Sequence, residues 1–452
     1  MKQHSDLTTG SIFQKLVFIA VPLMATQLTQ MLYNLLDMFL LARLSSEAVA
    51  ATGVSGMFIW LGMAMLLFGR MGAEIGVAQN KGRGDMEAAS SFSRNALLLS
   101  LVLGIVYGSI LTFLGEHLLS FFNIREANMS TMAVDYLRII GLGVPATYMT
   151  AAINGSFNGF GNPRIPLLAS LTGLAVSLII KPFFIFALGF GVRGAAVSTV
   201  LAQWLVFALL LWAIKKHKAR PFERFNFLLR PKLEIIRQII RWALPISLES
   251  GFFSLLMMLV TRLITGFGSD AMAVYRIGGQ IEQLSWLIGS GFGTAMTAFI
   301  GQNFGAGKWE RIEKGFRISS ATMFFWGGVI SLLMKFGGYG LFSLFLSEHE
   351  IRMMGAFYLS ILMACQIPGC LEHIGSGFFR GIGRTSSPSV ISITCNILRV
   401  PVCYLLASTS LKLHGVWIGL TLTAILRGSV IFGWALVTLI KRRRRQRLEI
   451  RD

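Results

Sequence analysis

Charge is scarce in this chain. Asp, Glu, Lys and Arg make up 14% of its 452 residues, where a soluble chain carries about 25%. A water-facing surface for a chain of this length cannot be built from so few charges. Acidic residues are the scarcer kind, 21 against 41 Lys and Arg, for a formal charge of +20. In a soluble protein that excess would point to nucleic acid. Here the basic residues sit at the ends of apolar runs, which suits membrane topology and excludes nucleic acid as a partner. Cysteine is nearly absent: Cys365, Cys370, Cys395 and Cys403 fall inside late apolar runs. Their spacing fits neither a metal site nor a disulfide framework, so buried free thiols are expected. No H-E-x-x-H, no serine–histidine pair and no G-x-x-x-x-G-K-[ST] occurs, which argues against an enzyme, a resident metal, a cofactor or ATP drive. Ten-residue segments of alternating polarity, the mark of a membrane barrel, are missing too.

What is present is apolar length. Hydrophobic residues reach 54% and the mean hydropathy is +0.65. They lie in twelve runs between residues 15 and 440, each near the ~20 residues that a helix needs to cross the hydrocarbon. In lipid every backbone N–H and C=O must be satisfied internally, so these runs predict helices. The first, Leu16 to Ala42, is longer than the h-region of a signal peptide and is expected to be the first span. Connecting segments alternate in charge. Those holding Lys81 and Arg83, Arg164, Lys215 to Lys232, Lys308 to Arg317, Arg380 and Arg384, and Lys441 to Arg447 carry most of the positive charge. The positive-inside rule puts them, and both termini, in the cytoplasm of a multi-pass inner-membrane protein. The basic tail is read as a topology signal.

The chain also repeats itself. Ala78-Gln-Asn-Lys-Gly-Arg-Gly-Asp85 matches Gly301-Gln-Asn-Phe-Gly-Ala-Gly-Lys308 at an offset of 223 residues (302 − 79). Pro22 and Pro245, and Pro145 and Pro368, share that offset; Pro166 and Pro388 differ by 222, Pro182 and Pro401 by 219. Phe157-Asn-Gly-Phe-Gly161 pairs with Phe379-Arg-Gly-Ile-Gly383. We therefore expect an all-α membrane protein of twelve helices in two six-helix lobes: 1–214 and 236–440, joined by a basic linker 215–235 and followed by a tail 441–452. Six is even, so both copies point the same way and relate by a pseudo-two-fold axis along the membrane normal. Parallel repeats of this kind are a transporter architecture. A monomer in the lipid bilayer, taking a small-molecule substrate, is expected.

Several motifs together resemble the MATE (multidrug and toxic compound extrusion) family. They are Asn34-x-x-Asp37, Gly301-Gln-Asn-Phe-Gly-Ala-Gly-Lys308, Arg380-Gly-Ile-Gly-Arg-Thr385, Arg399-Val-Pro401 and Gly191-Val-Arg-Gly-Ala-Ala-Val-Ser-Thr199. The resemblance spans nearly the whole chain. It implies a V-shaped pair of lobes and export of amphipathic, cationic compounds against inward Na⁺ or H⁺. One departure stands out. Where the family has Asn-x-x-x-Asp-Pro in the fifth helix, this chain reads Ser177-Leu-Ile-Ile-Lys181-Pro182. The family's amino-terminal cation site maps onto Asp37, Ser177, Lys181 and Thr199, and only Asp37 and Thr199 match. A fixed positive charge there opposes Na⁺, so H⁺ is the expected coupling ion.

Ionisable residues inside a membrane are costly and mark candidate sites. Gln27, Gln30, Tyr33, Asn34 and Asp37 share one face of the first helix and are expected to line a polar cavity. Lys181 is expected to pair with Asp37, and the opening of that pair by a proton would bias one conformation. The bland alternative is a static tie between two helices. In the second lobe, Glu249 and Glu372 each follow a proline by four residues, and Glu282 lies in the eighth span. Glu249 and Glu372 resemble carboxylates that some family members carry in the seventh and tenth helices. Two carboxylates sharing a cavity would provide a group that takes up and releases a proton; the bland alternative is pairing with Arg276, Arg399 or Arg427. Asp37, Lys181, Glu249 and Glu372 are the candidate ion-coupling residues. Gln30, Tyr33, Asn34, Asp37, Thr199, Glu249 and Glu282 are the candidate substrate-binding residues. The competing function is a flippase of lipid-linked oligosaccharide, from the same wider superfamily.

Overall fold

A computed structural model describes residues 6–122, 126–216, 221, 222, 225, 231–346 and 348–449. Most of the basic linker and the end of the tail lie outside the described residues. Among the described residues the regular structure is entirely helical. The first half holds α1 (Ile12–Leu44), α2 (Ser46–Arg83), α3 (Met86–Ser120), α4 (Ala127–Gly141), α5 (Val144–Phe160), α6 (Arg164–Pro182) and α7 (Gly191–Lys216). The second holds α8 (Leu233–Thr265), α9 (Ser269–Gly305), α10 (Trp309–Ser343), α11 (His349–Gly381), α12 (Ser386–Ala407) and α13 (Lys412–Glu449). Eleven helical segments are each long and apolar enough to cross a membrane; α4 and α5, bent by 47° at their junction, make a twelfth span together. That junction is where the expected fourth span breaks. Pro145 stands in the first turn of α5, where its missing N–H removes no helical bond. Its counterpart, Pro368, lies within an unbroken α11. After Pro182, α6 continues as a π-helical turn, Phe183–Ala187.

The repeated motifs are repeated helix ends. Gly84 closes α2 in the left-handed region (φ 81°), and Gly307 follows α9 in the same region (φ 73°). Asp85 N–H donates to the Asn80 carbonyl at 3.0 Å and Lys308 N–H to the Asn303 carbonyl at 2.9 Å. That six-to-one bond is how a left-handed glycine satisfies the last carbonyls of a helix. The side chains of Asn80 and Asn303 each donate back to their own helix, to Gly76 and Phe299, both at 2.8 Å. Gly161 and Gly383 repeat the pattern, with Asn162 N–H on the Phe157 carbonyl at 2.9 Å and Arg384 N–H on the Phe379 carbonyl at 2.8 Å. The conserved spacing within the chain thus encodes a stop signal used four times.

The chain forms two compact units. Unit 1 holds Met1–Leu7 and Val21–Ser247; unit 2 holds Thr8–Ala20 and Leu248–Asp452. The changeover in α1 falls next to Pro22 and that in α8 two residues after Pro245. Within unit 2, the carbonyls of Thr8 and Thr9 accept from Lys308 Nζ (3.0 Å) and Arg311 Nη2 (2.8 Å). Unit 1 is cored by Ala73, Val77, Ala96, Met149, Ile153 and Phe157, with the linker's Phe222 buried among them. Unit 2 is cored by Val274, Met334, Phe342, Tyr358, Leu359 and Trp417. Small residues set the helix spacing, as they do where lipid supplies no hydrophobic drive between helices.

Candidate functional site

In unit 1 the polar residues of α1 meet those of α6. Tyr33 and Asp37 are one turn apart on α1, Ser177 and Lys181 one turn apart on α6. Tyr33 Oη is hydrogen-bonded to Ser177 Oγ, and Lys181 Nζ forms an ion pair with the Asp37 carboxylate. Both links join residues 144 apart, so the two helices run side by side in register. Lys181 Nζ also lies 4.2 Å from the centroid of the Tyr33 ring, whose π face favours a cation. Lys181 and Ser177 have no exposure; the Asp37 side chain keeps 25%. Gln30 and Asn34 lie on the exposed side of α1, outside this cluster. Thr199 is buried and donates to the Ala195 carbonyl of its own helix at 2.8 Å, so its hydroxyl proton is spent locally.

Unit 2 carries a larger cluster. Glu249 on α8 accepts from Ser389 Oγ at 2.8 Å, and among the described residues it makes no ion pair. Glu372 on α11 pairs with Arg427 of α13 at 2.9 Å, and Arg427 also donates to Asn396 Oδ1 at 3.3 Å. The charges of Glu249 and Glu372 both act on Arg427. Glu282 on α9 lies near Gln366 and Trp286, within electrostatic reach of Arg399 and Arg427. Glu372 thus makes the pairing with an intramembrane arginine that stood as the alternative to a proton-exchanging carboxylate. Ser389, Asn396 and Gln366, which complete the cluster, carry no charge and gave no signal in the sequence. Among the described residues no group of three His, Cys, Asp or Glu side chains could hold a metal ion.

The chemistry of the two clusters differs. In unit 1 the carboxylate already has a resident ammonium, which opposes a second cation by direct repulsion. In unit 2 three carboxylates, Glu249, Glu282 and Glu372, share a cluster with two guanidiniums, Arg399 and Arg427. An excess of carboxylates over guanidiniums favours uptake of a cation or a proton.

Known proteins supply the context. The sequence matches the MatE family over residues 22–183 and again over 245–405, two matches that begin at the paired prolines. The probable multidrug resistance protein NorM of Thermotoga maritima is 28% identical over 431 residues, which span 93% of this chain and 91% of that protein. The multidrug resistance protein PmpM of Pseudomonas aeruginosa is 25% identical over 391 residues, 84% of this chain and 80% of its own length. An outward-facing multidrug resistance MATE family transporter of the MOP superfamily has the same fold, with a TM-score of 0.89 over 97% of this chain and 98% of that one, at 24% identity. With matches covering both halves, this multi-pass membrane chain belongs to the MatE family.

Proposed function

We propose that the protein is a secondary active exporter of the cytoplasmic membrane, expelling amphipathic cationic drugs or metabolites by alternating access in exchange for inward H⁺. The relatives named as multidrug resistance proteins support export of drug-like compounds. The observation that carries H⁺ over Na⁺ is the Lys181–Asp37 pair: a resident ammonium occupies the carboxylate that a sodium ion in unit 1 would need. Proton uptake then falls to unit 2, where Glu249 accepts from the Ser389 hydroxyl and makes no ion pair among the described residues, and to the opening of the Lys181–Asp37 pair. The carboxylates of unit 2 also favour a cationic substrate. Both termini are cytoplasmic in this reading, and no cofactor beyond the coupling ion takes part.

The test is ethidium movement in proteoliposomes with ΔpH and ΔNa⁺ imposed separately. Movement under ΔpH alone is expected. Glu249→Gln should lower it by about tenfold, within the range that a coupling free energy supplies, with thermal stability unchanged. Glu372→Gln should also lose stability, because it strands Arg427, at a cost of about 3–5 kcal/mol. Movement under ΔNa⁺ alone overturns the H⁺ assignment. No movement under either gradient favours the lipid-linked oligosaccharide flippase.

A further inference from the structure

The two repeats differ in charge where α3 and α10 begin. At the offset of 223, Asp85, Ala88 and Ser91 become Lys308, Arg311 and Lys314. Asp85 caps α3, its carboxylate accepting from Ala88 N–H at 2.8 Å; the Lys308 side chain caps nothing on α10. Arg94 and Arg317 also correspond, yet Arg94 is buried whereas the Arg317 side chain keeps 65% of its surface. The start of α10 meets the end of α13. Phe316 stacks on Phe432 at 5.4 Å, the Arg442 guanidinium lies 5.2 Å from the Trp309 ring centroid, and Arg443 pairs with Glu313 at 3.3 Å. Residues 308–317 and 441–444 thus bring together eight Lys and Arg against Glu310 and Glu313. Arg317 and Arg443 approach the same oxygen, Glu313 Oε1, at 3.5 and 3.3 Å. One carboxylate draws two guanidiniums together and cannot neutralise both. Exposed apolar faces run up to these charges. On α13, Trp434, Val437, Lys441 and Arg444 are exposed at steps of three and four residues, which is one helix face. On α10, Lys314, Arg317, Ala321 and Phe324 do the same.

We propose that the adjoining ends of α10 and α13 form a binding site for an anionic phospholipid of the cytoplasmic leaflet. Its phosphate is held by Arg317 and Arg443, and its acyl chains lie along the exposed apolar faces. A guanidinium fork matches a phosphate with two parallel N–H bonds, and Glu313 keeps two such forks side by side. Trp309 fixes Arg442 over its ring, at the depth where indoles sit among headgroups. A basic cluster beside the end of a span attracts anionic lipid. It repels the choline ammonium of a zwitterionic lipid, which gives the site its selectivity. A free phosphate would make no use of the apolar faces. The site stands whichever compound is transported.

Native mass spectrometry of the full chain in detergent, titrated with dioleoyl phosphatidylglycerol or dioleoyl phosphatidylcholine, reads the dissociation constant of the first bound lipid. The wild type should hold phosphatidylglycerol about tenfold tighter than phosphatidylcholine, or more. The double variant Arg317→Gln/Arg443→Gln should weaken phosphatidylglycerol by about tenfold or more and phosphatidylcholine by less than about twofold. Retained binding of phosphatidylcholine shows that the variant is folded. The control removes the same charge elsewhere: Arg237→Gln/Arg241→Gln on α8, both exposed, should shift phosphatidylglycerol by less than about twofold. Equal weakening by the two double variants would mean that only net charge matters, and it overturns the site. So does an unchanged affinity in Arg317→Gln/Arg443→Gln, or equal binding of the two lipids by the wild type. Glycerol 3-phosphate, which has the phosphate without the chains, should not displace the lipid at equal concentration; displacement makes this a free-phosphate site and overturns the lipid assignment.

Discussion

Lys181 has no exposure, while its partner Asp37 keeps a quarter of its side-chain surface. That asymmetry makes the two halves of the pair unequal. Asp37→Asn leaves an ammonium buried without a counter-ion, which costs about 3–5 kcal/mol. Lys181→Met leaves a carboxylate that can turn toward water, a smaller loss. The double variant removes both charges and should recover most of the stability lost in Asp37→Asn, since replacing a whole buried pair is often neutral. Thermal unfolding of the purified protein measures this, and equal losses in the two single variants would contradict the asymmetry. The pairing itself is legible in the sequence, although Asp37 and Lys181 stand in the first and fifth apolar runs, because the family resemblance maps both onto one cluster and two opposite charges in hydrocarbon have few other ways to be satisfied. The Tyr33–Ser177 bond beneath it is not legible, because hydroxyls are common in membrane helices and bond their own backbone as readily, as Thr199 does.

Helices pack here through positions where nothing larger than hydrogen fits. A Cβ on Gly104 of α3 would lie 2.7 Å from Cα of Pro145, and one on Gly327 of α10 would lie 2.8 Å from Cα of Ile367, next to Pro368. The two glycines are 223 residues apart (327 − 104), the same offset as Pro145 and Pro368. Backbone cannot yield as a flexible side chain can, so Gly104→Ala and Gly327→Ala should each cost about 1–3 kcal/mol. Gly53→Ala is the control: nothing lies within 4 Å of its Cβ, and removing a helical glycine stabilises by about 0.5–1 kcal/mol. Thermal unfolding of the three variants checks this; a Gly104→Ala as stable as Gly53→Ala would mean that the close approach relaxes freely. The proline repeat is visible in sequence. Its outcome is not: Pro145 opens a helix after a 47° bend, whereas Pro368 stays inside one. Neighbouring helices decide that difference.

Orientation belongs to the whole molecule. Glu310 and Glu348 are exposed at opposite ends of α10 and its following turn, and the four native cysteines are buried. With the basic segments inside, Glu348→Cys should react with a membrane-impermeant maleimide in intact cells and Glu310→Cys only after the cells are opened. The reverse pattern would invert the topology. Single cysteines suffice, because the native thiols are shielded.

The sequence by itself determined the helical membrane class, the number and length of the apolar runs, the internal repeat and the alternation of charge between successive connecting segments. These follow from transfer free energies and from spacing along one chain, and they need no partner to be read. Only the tertiary structure decided how the charges are shared out. Beyond the expected Asp37–Lys181 pair, Glu372 takes Arg427, Glu249 takes a hydroxyl, and Arg399 takes no acid among the described residues. Those outcomes turn on ångström-scale reach between side chains up to 142 residues apart, where Coulomb and hydrogen-bond energies change steeply with distance. Composition and spacing along one chain do not carry that information.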